Sequence, residues 1–141
     1  IEKNKSQVVI GADTVVSSNN KILEKPVDEK EAKNMLKKLS GTTHQVLTGI
    51  TIIKQDKVIT DYEATNVEFK ELTVDEIEDY VATGEPLDKA GSYGIQGQGA
   101  VLVKKIDGCF YNVVGLSLYR LTQMMNEIGL EIELSGWLYY H

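Results

Sequence analysis

A long β pattern runs from His44 to Phe69, broken once by the polar triplet Gln55-Asp56-Lys57. Val46, Ile50, Ile52 and Ile53 precede the break; Val58, Ile59, Val67 and Phe69 follow it. Residues rich in Thr, Val, Ile and Tyr suit a pleated, half-buried surface, and a short polar break returns such a chain antiparallel. An isolated hairpin is marginal in water, so this one needs further strands or helices to cover its apolar side.

The flanking sequence supplies both. Asp28 with Glu31 has the spacing of a capping box, and Ala32, Met35, Leu36 and Leu39 follow the stripe of a core-facing helix that stops at Ser40-Gly41. Thr73 with Glu76 repeats the box ahead of a helix whose face is Val74, Ile77, Tyr80 and Val81. Leu118, Leu121, Met125 and Ile128 mark a last helix closed by Gly129. Val8-Val9-Ile10 and Val15-Val16 read as a strand covered on both faces, interrupted by Gly11-Ala12-Asp13-Thr14. Ser18-Asn19-Asn20-Lys21 is turn chemistry leading to a short returning strand at Ile22-Leu23. Asp107-Gly108 predicts a hairpin between strands at 100–103 and 109–114. Ser135–His141, with Trp137, Tyr139 and Tyr140, fits no periodic element and makes 130–141 an atypical tail. These elements predict an α/β domain with a mixed twisted sheet and flanking helices.

Composition narrows the function. The chain has 141 residues and a formal net charge of −6 with no basic tract, which argues against a nucleic-acid polymer or a membrane surface as the main partner. A nucleotide remains open, since a pocket needs only a few local cations. No apolar run has the length of a membrane span, and one cysteine, Cys109, points to a reducing, cytoplasmic setting.

Chemistry concentrates in three places. Asp13 and Thr14 follow two tiny residues, where a carboxylate would be open to a bound substrate; they could equally be turn residues with local hydrogen bonds. Lys25 precedes Pro26 and could reach a phosphate, though taken alone it reads as a solvated lysine. Glu85, Asp88 and Lys89 precede Gly91, Gly94, Gly97 and Gly99, with Gln96 among them. Glycines let backbone approach a ligand closely, and an amide offers donor and acceptor to a base edge. A bulged connection without a ligand would look similar. The glycine order matches neither a dinucleotide fingerprint nor a P-loop, and His44, His141 and Cys109 lack zinc spacing. His44 reads as structural, Cys109 as a small core residue and Met124-Met125 as helix packing.

Gly11-Ala12-Asp13-Thr14, Lys25-Pro26 with the acidic helix and Leu39-Ser40-Gly41 after it, and Glu85-Pro86-Leu87-Asp88-Lys89-Ala90-Gly91-Ser92-Tyr93-Gly94-Ile95-Gln96-Gly97 together resemble the Maf family of nucleotide pyrophosphatases. Val114-Gly115-Leu116 matches as well, and the similarity runs from about Val8 to about Gly129. The resemblance implies a mixed α/β fold related to the inosine-triphosphate pyrophosphatases, and hydrolysis of a nucleoside triphosphate to monophosphate and pyrophosphate with a divalent metal, magnesium or manganese. It casts Asp13 as proton acceptor, Lys25 and Lys89 as phosphate contacts, and Thr14 and Gln96 as residues that tune base choice. Glu85 and Asp88 join the substrate-binding set through the same motif. The Tyr93–Gly97 form resembles the branch acting on dTTP and UTP. Whether Asp13 accepts a proton or holds the metal stays open, the metal ligands are unassigned, and a homodimer is open as a partner.

The sequence departs from the family pattern at Glu24, where Gly is usual, and at Ser117, where Pro is usual. The family's first strand, its Ser-x-Ser-Pro-Arg-Arg loop and the following helix have no counterpart here. The resulting expectation is a single domain cut short at its N-terminus, hydrolysing dTTP or UTP poorly. The alternatives are a pyrophosphatase for a modified or purine nucleotide, or a non-catalytic nucleotide-binding module.

Overall fold

The protein is described by a computed structural model covering residues 7–130. The aromatic tail Ser135–His141 lies outside the described residues. Five strands form one sheet: β1 (Val8–Ser18), β2 (Lys21–Leu23), β3 (Thr43–Lys54), β4 (Lys57–Phe69) and β5 (Val103–Asp107), in the order β2-β1-β3-β4-β5. The helices are α1 (Glu29–Leu39), α2 (Val74–Ala82), α3 (Phe110–Val114) and α4 (Leu118–Glu127). Three 3-10 turns, at Glu85–Asp88, Ala90–Ser92 and Gln98–Leu102, lie between α2 and β5. The α/β class is as expected, while the pairings, expected to be mixed, are all antiparallel among the described residues.

β3 and β4 are the long hairpin read from the sequence, in register from Lys54–Lys57 back to Thr43–Glu68. Even-numbered residues of β3 from His44 to Ile52 are buried, so one face of the sheet carries the core. α1 and α2 cover one end of that face, burying Leu36, Leu39, Ile77 and Val81 against Val16, Val46, Val67 and Phe69. α4 covers the other end, placing Leu121, Met124 and Ile128 on Ile50 and Ile52. Among the described residues nothing packs over the opposite face, where Val9 is 46% and Tyr62 is 61% exposed.

Both helix starts form as the sequence indicates. Asp28 Oδ1 accepts from the Glu31 amide at 2.8 Å, and the Thr73–Glu76 box closes in both directions. The stripe on α1 is buried throughout, whereas Val74 on α2 and Leu118 on α4 are exposed and Met124 takes the central core position of α4. Asn19 and Asn20 both have positive φ, the geometry of a two-residue turn between β1 and β2. Among the described residues no helix is long and apolar enough to cross a membrane.

Three further expectations are overturned. Gly11–Thr14 does not interrupt β1, which pairs continuously with β3 from Val8 to Ser17. Nor is the apolar start of β1 covered on both faces, since the alternating residues Val9 and Ile10 are 46% and 43% exposed. The Asp107-Gly108 hairpin is also absent. Residues 98–102 are a 3-10 turn, β5 runs Val103–Asp107, and Phe110–Val114 is helical. Asn112 decides this: fully buried, its Nδ2 donates to Val46 O and Thr65 Oγ1, both at 3.0 Å, and draws the segment beneath the sheet instead of beside β5. Tertiary hydrogen bonds here outweigh the β propensity of Phe, Tyr and Val.

Candidate active site

A cavity of about 430 Å³ opens at the edge of β1, where β2 has turned away. Asp13, Thr14, Lys25, Glu85, Asp88, Lys89 and Gln96 all line it. The three segments singled out in the sequence thus meet in one place, although nearly the whole of α1, β3, β4 and α2 separates the first two from the third.

Alternation along β1 splits the first motif. Thr14 faces the core side with Val16, while Asp13 faces the other way and reaches the cavity around the free strand edge. Asp13 is exposed, and its side chain has no hydrogen bond or ion pair among the described residues. Thr14 Oγ1 lies 2.9 Å from Thr48 Oγ1 on β3. Lys25 sits on the extended segment after β2, held to the glycine loop through the Gly91 amide, which donates to Glu24 O at 3.2 Å. Gly91 adopts φ 70°, and a Cβ there would stand 2.8 Å from Val16 Cγ2, so only glycine lets the loop close on β1.

Glu85 organises the loop. Its Oε1 accepts from Tyr80 Oη at 2.7 Å and from the Gly99 amide at 3.2 Å, while Oε2 accepts from the Gln98 amide at 3.0 Å. Tyr80 Oη accepts in turn from the Gly94 amide at 3.0 Å. A Cβ on Gly97 would collide with the Glu85 carboxylate. Partial burial pushes the Glu85 carboxyl up, but the hydrogen bonds from Tyr80, Gln98 and Gly99 outweigh it and leave the group below the usual carboxylate range. The Tyr80 hydroxyl is pushed up, by burial first and then by the carboxylate it serves. Asp88 Oδ1 pairs with Lys89 Nζ at 3.3 Å, and Gln96 stands exposed at the rim.

Behind the cavity His44 and Tyr93 join β3 to the loop. His44 Nε2 lies 2.6 Å from Tyr93 Oη, and both rings pack edge-on against Phe69. Burial drives the His44 imidazole down to about 4, so it is neutral near pH 7, in line with its structural reading. Four residues that shape the site escaped notice as site residues in the sequence: Thr48, Tyr80, Tyr93 and Asn112. Tyr80 read only as core face. Asn112 carried the one available signal, a lone amide inside the apolar run Phe110–Val114.

Among the described residues no group of three or more His, Cys, Asp or Glu side chains stands together as a metal site. The cavity carboxylates still suit a hard cation in one respect. Glu85 is saturated and Asp88 is paired, leaving Asp13 as a free oxygen donor. Magnesium is commonly held by one or two carboxylates with waters and substrate phosphates completing its shell.

Comparison with known proteins gives the same family that the motifs resemble. The family model described as Maf-like protein matches residues 1–128. The dTTP/UTP pyrophosphatase of Bacillus cereus is 52% identical over 131 residues, which span 93% of this chain and 69% of the relative. The dTTP/UTP pyrophosphatase of Bacillus thuringiensis subsp. konkukian is also 52% identical, and that of Bacillus anthracis 51%, with the same coverage. With its motifs gathered on one cavity and the family model matching nearly its whole length, the chain belongs to the Maf family.

Proposed function

We infer that this chain hydrolyses dTTP and UTP to the nucleoside monophosphate and pyrophosphate. The observation that carries the reading is the convergence of two lysines, an unengaged carboxylate and neutral hydrogen-bonding groups on one cavity, in a chain about half identical to dTTP/UTP pyrophosphatases. Water attacks the α-phosphorus, the bond from that phosphorus to the bridging oxygen breaks, and pyrophosphate leaves with the electron pair. Asp13 accepts the proton of the attacking water. Lys25 and Lys89 set positive charge against the triphosphate, and Asp88 orients Lys89. Thr14 and Gln96 meet the base edge, with Val113 and Val114 as apolar wall. Glu85 serves binding through the loop it holds. A magnesium or manganese ion, held at Asp13, would supply further charge neutralisation and acidify a bound water.

The sequence contains one arginine, Arg120, and it is engaged with Asp61 at 3.3 Å and Glu63 at 3.5 Å. Among the described cavity residues the cations set against the triphosphate are Lys25 and Lys89, which bind as point charges without a bidentate fork. The setting of this reaction is a cytoplasmic nucleotide pool. The test is pyrophosphate release from a panel of dTTP, UTP, CTP, GTP and ATP with magnesium or manganese. Preference for dTTP and UTP supports the reading; release from purine nucleotides in preference to these defeats it.

A further inference from the structure

Beneath Thr14 lies a chain of buried hydrogen bonds whose direction can be worked out. Thr48 is 0% exposed, and its Oγ1 stands 2.9 Å from Thr14 Oγ1 and 3.1 Å from the main-chain oxygen of Asn112. A hydroxyl has one proton, and a carbonyl can only accept. If Thr48 donated to Thr14, the buried Asn112 carbonyl would lose this partner, a cost comparable to a lost buried hydrogen bond. The carbonyl cannot swing away to find another. Asn112 is held through Nδ2 to Val46 O and to Thr65 Oγ1, and Thr65 spends its own proton on Cys109 O at 3.0 Å. Thr48 therefore gives its proton to Asn112 O, and Thr14 gives its proton to Thr48.

What remains on Thr14 Oγ1 is acceptor capacity only, on a half-buried residue lining the cavity. We propose that Thr48, backed by Asn112, is a positioning residue for base choice: it fixes the Thr14 oxygen as an acceptor, so the site takes a base presenting an N–H there. The imide N3–H of uracil or thymine satisfies that oxygen. Cytosine presents a lone pair at N3, leaving two acceptors facing one another. The inference rests on the dTTP/UTP reading of the cavity and names the residues behind its selectivity.

Calorimetric binding of the α,β-methylene analogues of UTP and CTP to the full chain tests it. The parent protein is expected to prefer the UTP analogue by about tenfold, the size of effect an unpaired buried acceptor produces. Thr48→Val keeps the shape but frees the Thr14 hydroxyl to rotate and donate, and should reduce that preference to about twofold. Thr48→Ser restores the hydroxyl and should restore the preference. An unchanged preference in folded Thr48→Val, or its loss in Thr48→Ser, overturns the assignment. Equal binding of both analogues by the parent overturns it while leaving a nucleotide site standing; binding of neither removes the pyrophosphatase reading as well. Should Thr48→Val fail to fold, the parent is read by NMR. A slowly exchanging Thr48 hydroxyl proton close to the Asn112 main chain supports the proposal, and one directed at Thr14 defeats it.

Discussion

The cavity has two walls, and the carboxylates on them are held in opposite ways. On the strand wall, Asp13 projects from the edge of β1 with no side-chain partner among the described residues. On the loop wall, Glu85 accepts three hydrogen bonds and keeps Gly94–Gly99 folded around itself. A carboxylate already saturated by donors is held ionised and gains little by taking a proton, so it serves architecture. An unsatisfied carboxylate at a rigid strand edge is free to take a proton or meet a cation. The same functional group is thus assigned different work by its surroundings.

The sharpest way to break this contrast is to remove each carboxylate's charge in turn. Asp13→Asn is expected to lower the rate of pyrophosphate release at least about a hundredfold, the usual contribution of a positioned base. Its melting temperature should match the parent, because no described contact is lost. Turnover within a few-fold of the parent would remove Asp13 from the reaction. Glu85→Ala is expected to behave the other way. It strands the part-buried Gly99 amide and Tyr80 hydroxyl, at a cost of about 1–3 kcal/mol for each group left unpaired out of water, while water can replace the carboxylate at the exposed Gln98 amide. Several degrees of melting temperature and about a tenfold rise in KM should follow, with kcat less affected. A fall in kcat with unchanged melting temperature would instead place Glu85 in the chemistry.

His44 and Tyr93 form the seam between the walls, and pH probes it. The folded imidazole titrates near 4 and the unfolded one near 6.5, so the unfolded chain binds the extra proton between these values. Stability from this group is complete above pH 6.5 and is lost as pH falls toward 4, to a total of about 3 kcal/mol. Glu85, held below its reference value of 4.5, acts at the acid end of that range. Chemical denaturation at pH 5 to 7 should therefore show a slope that disappears in His44→Gln. A slope that persists in the variant would assign the acid sensitivity elsewhere.

The central hairpin and its covering helices were more legible in the sequence than the partnerships that build the cavity. Periodicity of two located β3 and β4 almost to their ends, and the caps of α1 and α2 announced themselves through Asp28–Glu31 and Thr73–Glu76. The seven expected site residues carry recognisable chemistry at motif positions, and the fold brings them to one cavity. What local pattern could not reveal is partnership across the chain. Tyr80 has the spacing of a core residue, and only the fold brings Glu85 to its hydroxyl. Phe110–Val114 has strand composition, and only the buried amide of Asn112, meeting Val46 and Thr65, turns it into a helix. The tight approach of Gly108 to Thr65, 3.1 Å from a Cβ placed there, likewise depends on the neighbouring strand and not on the Asp-Gly pair.

Asp88 gives the smallest expected effect and the finest test of the contrast between engaged and free charge. Its side chain is 80% exposed and pairs with Lys89 at 3.3 Å, so solvent screens the interaction. Loss of the pair in Asp88→Asn should leave the melting temperature unchanged, since exposed pairs contribute about 0–1 kcal/mol. Two opposing consequences for the substrate follow from the geometry. Lys89 loses the partner that orients it, while a negative charge beside the triphosphate disappears. Because Lys89 is also braced by packing across Gly94, where a Cβ would stand 2.6 Å from Lys89 Cε, its position survives and the charge term prevails. KM for dTTP is therefore expected to fall by about twofold at low salt and to return to the parent value as ionic strength rises. A rise in KM that salt does not erase would make Asp88 a direct substrate contact, a second engaged carboxylate on the loop wall that works on the ligand and not on the loop.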